Sequence, residues 1–397
     1  MNVSFCRKTT TKPEFSLENP EISVAEIQPL PAKPRLGWTL RIVLGLNWVA
    51  VVMLLASYLA PYVSPAVFWP LAFFGLIHPA LVAANIVFLL FWLLLRRRQF
   101  LYTAAVLLIG WPFNGREVQL RRETVESPRS SYKFMSWNTK LFDLYNWSKN
   151  KQTRNNMLQL LYNEQPDVLC LQEFFNEDNG NFRNLDSVKK MLKMPYVHVE
   201  YTYTRRKDDH WGVATFSRFP VLNQGRIVFN NRSNNICIYT DLLIRNDTVR
   251  VYNMHLQSIH FGYDDYEFID KVKTGEDGGD EVTASANILR RFKRAYTKRA
   301  GQADAIAEHI AACPHPVIVC GDFNDTPVSY VYETISHNLQ DAFMVSGSGF
   351  GKTYENRTPF PRIDYVLHSG ELRSFGFKTM RTVEMSDHYP VVCWFGY

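Results

Sequence analysis

One uninterrupted apolar run constrains the fold of this chain more than any other feature. The run WTLRIVLGLNWVAVVMLLASYLA occupies residues 38–60 and contains a single charge, near its start. Such a run is long enough to cross the roughly 30 Å of hydrocarbon in a bilayer as a helix. The polar sequence before it is too long for the lead of a cleaved signal peptide. The sequence therefore predicts a transmembrane helix here.

Two further apolar stretches follow this run. Residues 67–95 are interrupted by Pro70 and Pro79, and residues 100–113 are short for a membrane crossing. We expect a transmembrane region of about three helices over residues 38–113, with two crossings as an alternative. A buried helical core is another interpretation, but the length of the stretches and their density of Leu, Val and Phe favour the membrane.

The distribution of arginine predicts an orientation. Arg96, Arg97 and Arg98 lie between the second and third stretches, whereas residues 60–66 carry no charge. Because positive loops stay in the cytoplasm, three crossings would place the large domain that follows outside the cytoplasm. The arginines after the third stretch weaken this prediction.

The segments on either side of the apolar region differ in composition and hydrophobic pattern. Residues 1–37 are polar and rich in proline, which predicts a disordered tail, and residues 114–130 form a polar linker. From 131 to 397, short apolar runs alternate with helical patterns. The predicted strands are 133–138, 168–172, 211–217, 236–244, 249–255, 317–320, 362–367 and 391–395, and the predicted helices are 151–164 and 289–312. This alternation predicts a mixed α/β domain with sheets covered by helices.

Positive charge is concentrated ahead of that domain. Lys and Arg outnumber Asp and Glu by 5 to 4 in residues 1–37 and by 9 to 3 in residues 38–133. Since the whole chain carries a formal charge of +6, residues 134–397 carry −1. The domain therefore lacks the broad basic field of a general nucleic-acid-binding protein.

Polar residues recur at the ends of the predicted strands, where several side chains can converge on one pocket. The segments are SWNTKLF with Asn138, LCLQEF with Glu173, VYNMHLQS with Asn253 and His255, VIVCGDFNDTP with Asp322 and Asn324, RIDYVL with Asp364, and SDHYPV with Asp387 and His388. Carboxylates, amides and imidazoles are suited to binding a hard cation and to moving protons. The pattern indicates hydrolysis of a phosphate ester, which needs a cation, an oriented water and a donor for the leaving oxygen.

These ordered segments closely resemble the endonuclease/exonuclease/phosphatase superfamily over about residues 131–397. The resemblance implies a four-layer α/β/β/α sandwich as the catalytic domain. The arrangement with a membrane region in front is similar to that of bacterial members of the superfamily. This similarity implies an integral protein of the bacterial inner membrane; the apolar stretches predict several crossings, and the arginine distribution predicts that the catalytic domain lies on the extracytoplasmic side.

The resemblance also implies a metal site for Mg²⁺ or Mn²⁺. We expect Glu173 to be the main ligand, with Asn138 supporting it and Asp387 as an additional carboxylate. A Glu at the end of a strand is most often a surface residue when it stands alone. Here its place beside the other motifs favours metal binding.

The remaining motif residues are expected to carry the reaction. Asp322 would orient and deprotonate the attacking water, and the Asn324 amide would steady that water or a phosphate oxygen. Asp364 would set the tautomer and charge of His388, which would contact the phosphate. His255 would stabilise the phosphoryl oxygens or protonate the leaving group.

One position departs from the family pattern. Abasic-site endonucleases of the superfamily carry an acidic residue two places after the first-motif Asn, and this chain has Lys140 there. A lysine cannot ligate Mg²⁺, so the departure argues against a close role in abasic-site repair.

The sequence therefore predicts a membrane-anchored, divalent-metal-dependent phosphoesterase that hydrolyses phosphodiesters. Its substrate would be a nucleic acid, a lipid headgroup or a small soluble ester, and no protein partner is predicted. A phosphomonoesterase of the same fold is the first alternative. A non-catalytic membrane scaffold that retains the fold is the second, and metal titration distinguishes it because a scaffold has no need of the cation.

Overall fold

The computed structural model describes residues 37–120, 130–229, 235–259, 281–355 and 362–396. The predicted tail, apart from Gly37, and most of the predicted linker lie outside these residues. The chain divides into a unit that ends at Gly45 and a second unit, Leu46–Tyr397. The first helix begins in the first unit, at Trp38.

Helices make up the described chain from Trp38 to Asn114, and the first of them begins in the first unit. The helices are α1 (Trp38–Leu59), α2 (Pro65–Phe68), α3 (Leu71–Leu76), α4 (His78–Leu94), α5 (Phe100–Ile109) and α6 (Trp111–Asn114). By length and composition, one helix among the described residues is long and apolar enough to cross a membrane, at Trp38–Tyr62. The apolar helices α4 and α5 are shorter.

The rest of the second unit is a mixed α/β domain. Its strands are β1 (Val118–Gln119), β2 (Tyr132–Asn138), β3 (Val168–Glu177), β4 (Tyr196–Arg205), β5 (Asp209–Ser217), β6 (Val221–Ile227), β7 (Ile236–Ile244), β8 (Asp247–His255), β9 (Val317–Asp322), β10 (Gln340–Asp341), β11 (Gly349–Phe350), β12 (Asp364–His368), β13 (Arg373–Thr379) and β14 (Val391–Gly396). Its helices are α7 (Thr153–Glu164), α8 (Asn184–Leu192), α9 (Glu281–Ala311), α10 (Tyr330–Ile335) and α11 (Ala342–Ser346). Each predicted strand and both predicted helices are confirmed as elements, although β3 extends to Glu177 instead of ending at residue 172 and α9 begins at Glu281 instead of residue 289.

Two six-stranded sheets organise this domain. Their strand orders are β13-β14-β2-β3-β5-β4 and β10-β12-β9-β8-β7-β6. Each contains one parallel pair near its centre, β2 with β3 and β8 with β9, and the other pairs are antiparallel. Parallel neighbours need a crossover connection, which α7 provides in one sheet and α9 in the other. Strand ends that carry the predicted site residues therefore lie at a common edge of each sheet.

Buried side chains fall into separate apolar clusters around the sheets. One cluster combines residues of both sheets, including Phe134 and Val168 from one and Val251 and Ile318 from the other. A second cluster packs α7 and α8 on the first sheet, and a third packs α9 and α10 on the second. The mixed α/β class predicted from the sequence is confirmed.

Candidate active site

The first sheet contributes an amide and a carboxylate from its parallel pair. Asn138, the last residue of β2, lies opposite Gln172 of β3. The pairing of β3 with β5 shifts register between Leu171 and Phe174, and Glu173 within this bulge has a φ of 45°. A bulge redirects a side chain that regular alternation would point elsewhere. Asn138 Nδ2 donates to Glu173 Oε1 at 3.3 Å.

The second sheet contributes an imidazole and a carboxylate in the same way. His255 ends β8 directly opposite Asp322, which ends β9. Asn138 Nδ2 also donates to Asp322 Oδ2 at 3.0 Å, so this amide joins the two sheets. His255 Nε2 lies 3.6 Å from Glu173 Oε1 and 3.8 Å from Asp322 Oδ2.

An aspartate and a histidine from the last two motifs complete the centre. Asp364 begins β12 opposite Asp322. His388 Nδ1 lies 2.9 Å from Asp364 Oδ2, and its Nε2 lies 3.6 Å from Asp322 Oδ2. Asp322, Asp364 and His388 are buried and offer ligand atoms within 4.8 Å of one another. Among the described residues this is the group of three donors that is close enough for one metal ion.

The GDFN turn holds its own carboxylate. The backbone N–H of Asn324 donates to Asp322 Oδ1 at 2.8 Å, and Asn324 takes a φ of 54° to make this turn. Its Nδ2 donates to Leu256 O at 2.9 Å, which braces the chain just after His255. Gly321 has a φ of 133°, and a Cβ there would collide with the backbone of Met254. The turn therefore requires glycine at this position.

Lys140 forms an ion pair at the edge of the site. Its Nζ lies 3.0 Å from Asp387 Oδ2, and both side chains are partly exposed. The residues from Lys140 to Asp143 all have positive φ values, so the chain leaves β2 in a left-handed turn. Asp387 raises and Lys140 lowers the pKa of Glu173, although both effects are smaller than that of burial. The lysine thus compensates a carboxylate that was predicted as a metal ligand.

Burial is the largest influence on the carboxyl groups of the centre. Burial raises the pKa of Glu173, and it raises the pKa of Asp322 to about 6. Burial opposes the charge on His388, but the Asp364 and Asp322 carboxylates prevail and raise its pKa to about 10. A divalent cation would stabilise the charged form of these buried carboxylates, whose pKa values are raised even though a cationic imidazole lies nearby.

Comparisons with known proteins show the family of this chain. The family model described as the endonuclease/exonuclease/phosphatase family matches residues 135–388. This chain belongs to the endonuclease/exonuclease/phosphatase family. A model described as a domain of unknown function matches residues 40–116, in the helical region in front of the family domain. The search of curated proteins found no match.

Several solved structures are similar to this family member. The human nocturnin catalytic domain is 20% identical, with 68% of this chain and 95% of that chain covered and a TM-score of 0.49. An endonuclease/exonuclease/phosphatase from Beutenbergia cavernae is 16% identical, with 67% and 72% covered and a TM-score of 0.48. A mannosyl-6-phosphatase of Bacteroides thetaiotaomicron is 16% identical, with 67% and 100% covered and a TM-score of 0.46.

The structure places the predicted site residues of this family domain in one region. Six of them are connected by the distances given above: Asn138, Glu173, His255, Asp322, Asp364 and His388. Asn324 joins them through Asp322, and Asp387 lies beside Lys140 at the edge. Their individual roles stay predictions.

Two supporting residues around the site, Ser386 and Gln172, were not predicted, whereas their neighbour Asn253 was one of the polar residues that the sequence placed at a strand end. Ser386 Oγ donates to the backbone oxygen of Asn138 at 2.9 Å and accepts from the His388 N–H at 3.2 Å. Gln172 Nε2 donates to Asn253 Oδ1 at 2.7 Å in the buried space between the sheets. The sequence signal for Ser386 was its place in SDH, directly before two predicted site residues. Gln172 and Asn253 are also motif neighbours, but no local pattern indicates that they meet.

Proposed function

We propose that this chain is a membrane-anchored, divalent-metal-dependent phosphodiesterase. The observation that carries the proposal is the Asn138 amide, which donates to both Glu173 and Asp322. The imidazoles of His255 and His388 both lie within 4 Å of the Asp322 carboxylate. Family membership supports hydrolysis of phosphoric esters. A phosphodiester of a nucleic acid, a lipid headgroup or a small molecule is the proposed substrate class.

The donor set fits a Mg²⁺ or Mn²⁺ ion. Glu173 and Asn138 are the proposed ligands, with Asp387 as the further carboxylate. When bound, the ion would neutralise charge on the phosphate and lower the barrier to attack. The raised pKa of the Glu173 carboxylate supports this assignment, because its charge is poorly compensated by the protein alone.

The protein's own side chains suffice for the proton transfers. Asp322 accepts the proton of the attacking water, and its raised pKa makes it a better base than an exposed carboxylate. Asp364 holds His388 in the charged form at neutral pH, so this imidazolium binds a phosphoryl oxygen. His255 is the proposed proton donor for the leaving oxygen.

Replacement of Asp322 tests this assignment. We expect full-length Asp322→Asn to hydrolyse bis(p-nitrophenyl) phosphate about 10²- to 10⁴-fold more slowly than the natural chain in Mg²⁺ or Mn²⁺, because the base is removed. EDTA should abolish the natural rate. Asp247→Asn, at the exposed first residue of β8, is the matched control and should retain full activity. An unchanged rate in Asp322→Asn would contradict the assignment.

The helical region supports a membrane anchor. Many of its large apolar side chains are exposed, among them Val52, Val87 and Leu108. Polar groups also pair in its interior: Trp92 Nε1 donates to Asn47 Oδ1 at 2.8 Å, and Thr103 donates to the same oxygen at 3.1 Å. Apolar residues outside and paired polar residues inside are typical of helices packed within lipid. We propose several crossings and, for the family domain, a four-layer sandwich supported by its three apolar clusters.

A reporter fused to the C-terminus tests the proposed orientation. Alkaline phosphatase is active only outside the bacterial cytoplasm, and we expect it to be active in the fusion. The reason is that Arg96, Arg97 and Arg98 should keep the C-terminal end of α4 in the cytoplasm. Fluorescent protein fused at the same point is the control and should stay dark. The reverse result would place the catalytic domain in the cytoplasm.

A further inference from the structure

A basic groove lies beside the catalytic strand β8. It has a volume of about 400 Å³ and runs between α9 and the segment that follows His255. The described residues that line it are Gln257, Ser258, Ile259, Arg291, Arg294, Ala295 and Lys298. Three of these are cationic and none is acidic.

The three cations lie on one face of α9. Their spacings of three and four residues bring the side chains to neighbouring positions on the helix. Like charges at this spacing destabilise a helix slightly, so the arrangement has a cost that an anionic ligand would reverse. Arg294 and Lys298 form no ion pair with any residue that the structure describes.

Hydrogen bonds tie the groove to the active site. Gln257 is two residues beyond His255, about 7 Å along an extended chain. Its N–H donates to Gln302 Oε1 at 3.0 Å, and its carbonyl accepts from Arg299 Nη1 at 2.8 Å. Both partners belong to α9, so the helix that carries the basic face also fixes the end of the catalytic strand. The groove is therefore held at a set position relative to His255.

The same helix contacts the helical region. Phe292 and Tyr296 pack their rings on Phe73 of α3, with centroid distances of 4.7 and 5.8 Å. At about 3.6 residues per turn these rings lie on a different side of α9 from Arg294 and Lys298, so the helix contacts the helical region and lines the groove with separate faces.

We propose that Arg294 and Lys298 form a binding site for a second phosphate group on the substrate, apart from the phosphodiester that is cleaved. This inference rests on the proposed function and narrows its substrate class to esters with an additional phosphate. Arg and Lys are the side chains best suited to a phosphate, through charge-assisted hydrogen bonds. The second phosphate belongs either to a lipid headgroup or to a soluble ester.

Two synthetic diesters with the same p-nitrophenol leaving group test the proposal. One carries a neutral alcohol and the other an alcohol with a terminal phosphate. We expect the natural full-length protein to prefer the phosphorylated diester in kcat/KM, and Arg294→Gln/Lys298→Gln to lose about 10- to 100-fold of that preference. Arg290→Gln/Lys293→Gln is the control, because it removes the same charge from α9 outside the groove. An unchanged preference in the groove variant, or an equal loss in the control, would overturn the proposal.

Binding in EDTA separates this inference from the proposed function. Native mass spectrometry of the full-length protein would measure retention of phosphatidylglycerol, phosphatidylcholine and glycerol 3-phosphate. Selective retention of phosphatidylglycerol that the groove variant loses identifies a lipid source, and retention of glycerol 3-phosphate identifies a soluble one. If one of these anions binds but the protein hydrolyses neither diester, the proposed reaction is refuted and the proposed phosphate site is kept. Retention of neither anion, or equal retention by the groove variant, would overturn the site.

Discussion

Individual side chains in this protein hold their charges through partners that lie far away in sequence. Asp364 fixes His388 across 24 positions, and Asn138 reaches Asp322 across 184. Glu117 has no such compensation: burial raises its pKa to about 7, and Arg362 lowers it only in part. A carboxyl whose pKa is higher in the folded state than in the unfolded state binds more protons when folded. Its contribution to stability is therefore fully present below about pH 4.5 and is lost as the pH rises toward 7.

Replacement of Glu117 tests this effect at the scale of one residue. We expect Glu117→Gln to raise the free energy of unfolding by up to about 3 kcal/mol at pH 8 and to change it little at pH 4, because the amide has no charge to bury. Denaturant unfolding of the detergent-solubilised protein at both pH values measures the difference. Glu308→Gln, at an exposed position of α9, is the control. An equal gain at both pH values would show that the charge is not the cause.

Helix α9 is the element that connects the two catalytic loops of the second sheet. Arg299 on its buried face donates from Nε to Asp325 Oδ2 at 3.1 Å and from Nη1 to Gln257 O at 2.8 Å. Asp325 follows the GDFN turn, and Gln257 follows His255. Burial raises the pKa of Asp325, and Arg299 partly offsets this. One guanidinium thus spans the ends of β8 and β9.

Removal of this guanidinium should affect both stability and catalysis. We expect Arg299→Met to lower the free energy of unfolding by about 3–5 kcal/mol, because it leaves Asp325 buried without a counterion. The double variant Arg299→Met/Asp325→Leu should recover most of that loss but not the activity, since the carbonyl of Gln257 stays without its donor. Lys293→Met, on the exposed face, is the control. Full activity in the double variant would contradict the bracing role of Arg299.

At the scale of the molecule, the catalytic loop runs directly into the helical region. Val328, six residues beyond Asp322, is part of the apolar cluster formed by Val51, Leu54 and Phe113. Thr326 Oγ1 donates to Gly75 O at 3.4 Å, and Arg116 Nη1 donates to Pro327 O at 3.1 Å. The helical region therefore positions the loop that carries Asp322, in addition to any role as an anchor.

A methyl group at Gly75 should disturb this contact. A Cβ there would collide with the backbone oxygen of Val328. We expect Gly75→Ala to destabilise the protein by about 1–3 kcal/mol, visible as a lower Tm, and to lower kcat because the loop shifts. Gly301→Ala in α9, where a Cβ meets nothing within 4 Å, should be neutral or slightly stabilising. A lower Tm with unchanged kcat would show that the helical region does not position the loop.

Patterns within the sequence predicted the strands with strong apolar character and missed the others. Strand β6 (Val221–Ile227) was not predicted because its exposed, polar residues lack the apolar alternation of a half-buried strand. Strand β4 (Tyr196–Arg205) was missed although Val197, Val199 and Tyr201 alternate with polar residues. Strand β13 (Arg373–Thr379) was missed because polar residues and Gly376 interrupt its apolar residues. Helix α8 (Asn184–Leu192) was missed because it is short. The Asp387–Lys140 pair was also beyond prediction, because its two residues come from opposite ends of the domain.

The sequence by itself determined the apolar run at residues 38–60, the mixed α/β class and the residues at the strand ends. These features are local, since hydrophobic period and motif order can be read within short windows. Tertiary structure decided which of the polar groups meet. The bulge that turns Glu173 toward Asn138, the ion pair that occupies Asp387, the basic groove of α9 and the burial of Val328 among helices depend on sheet register and packing. Those arise from contacts between segments far apart in the chain, which no local pattern records.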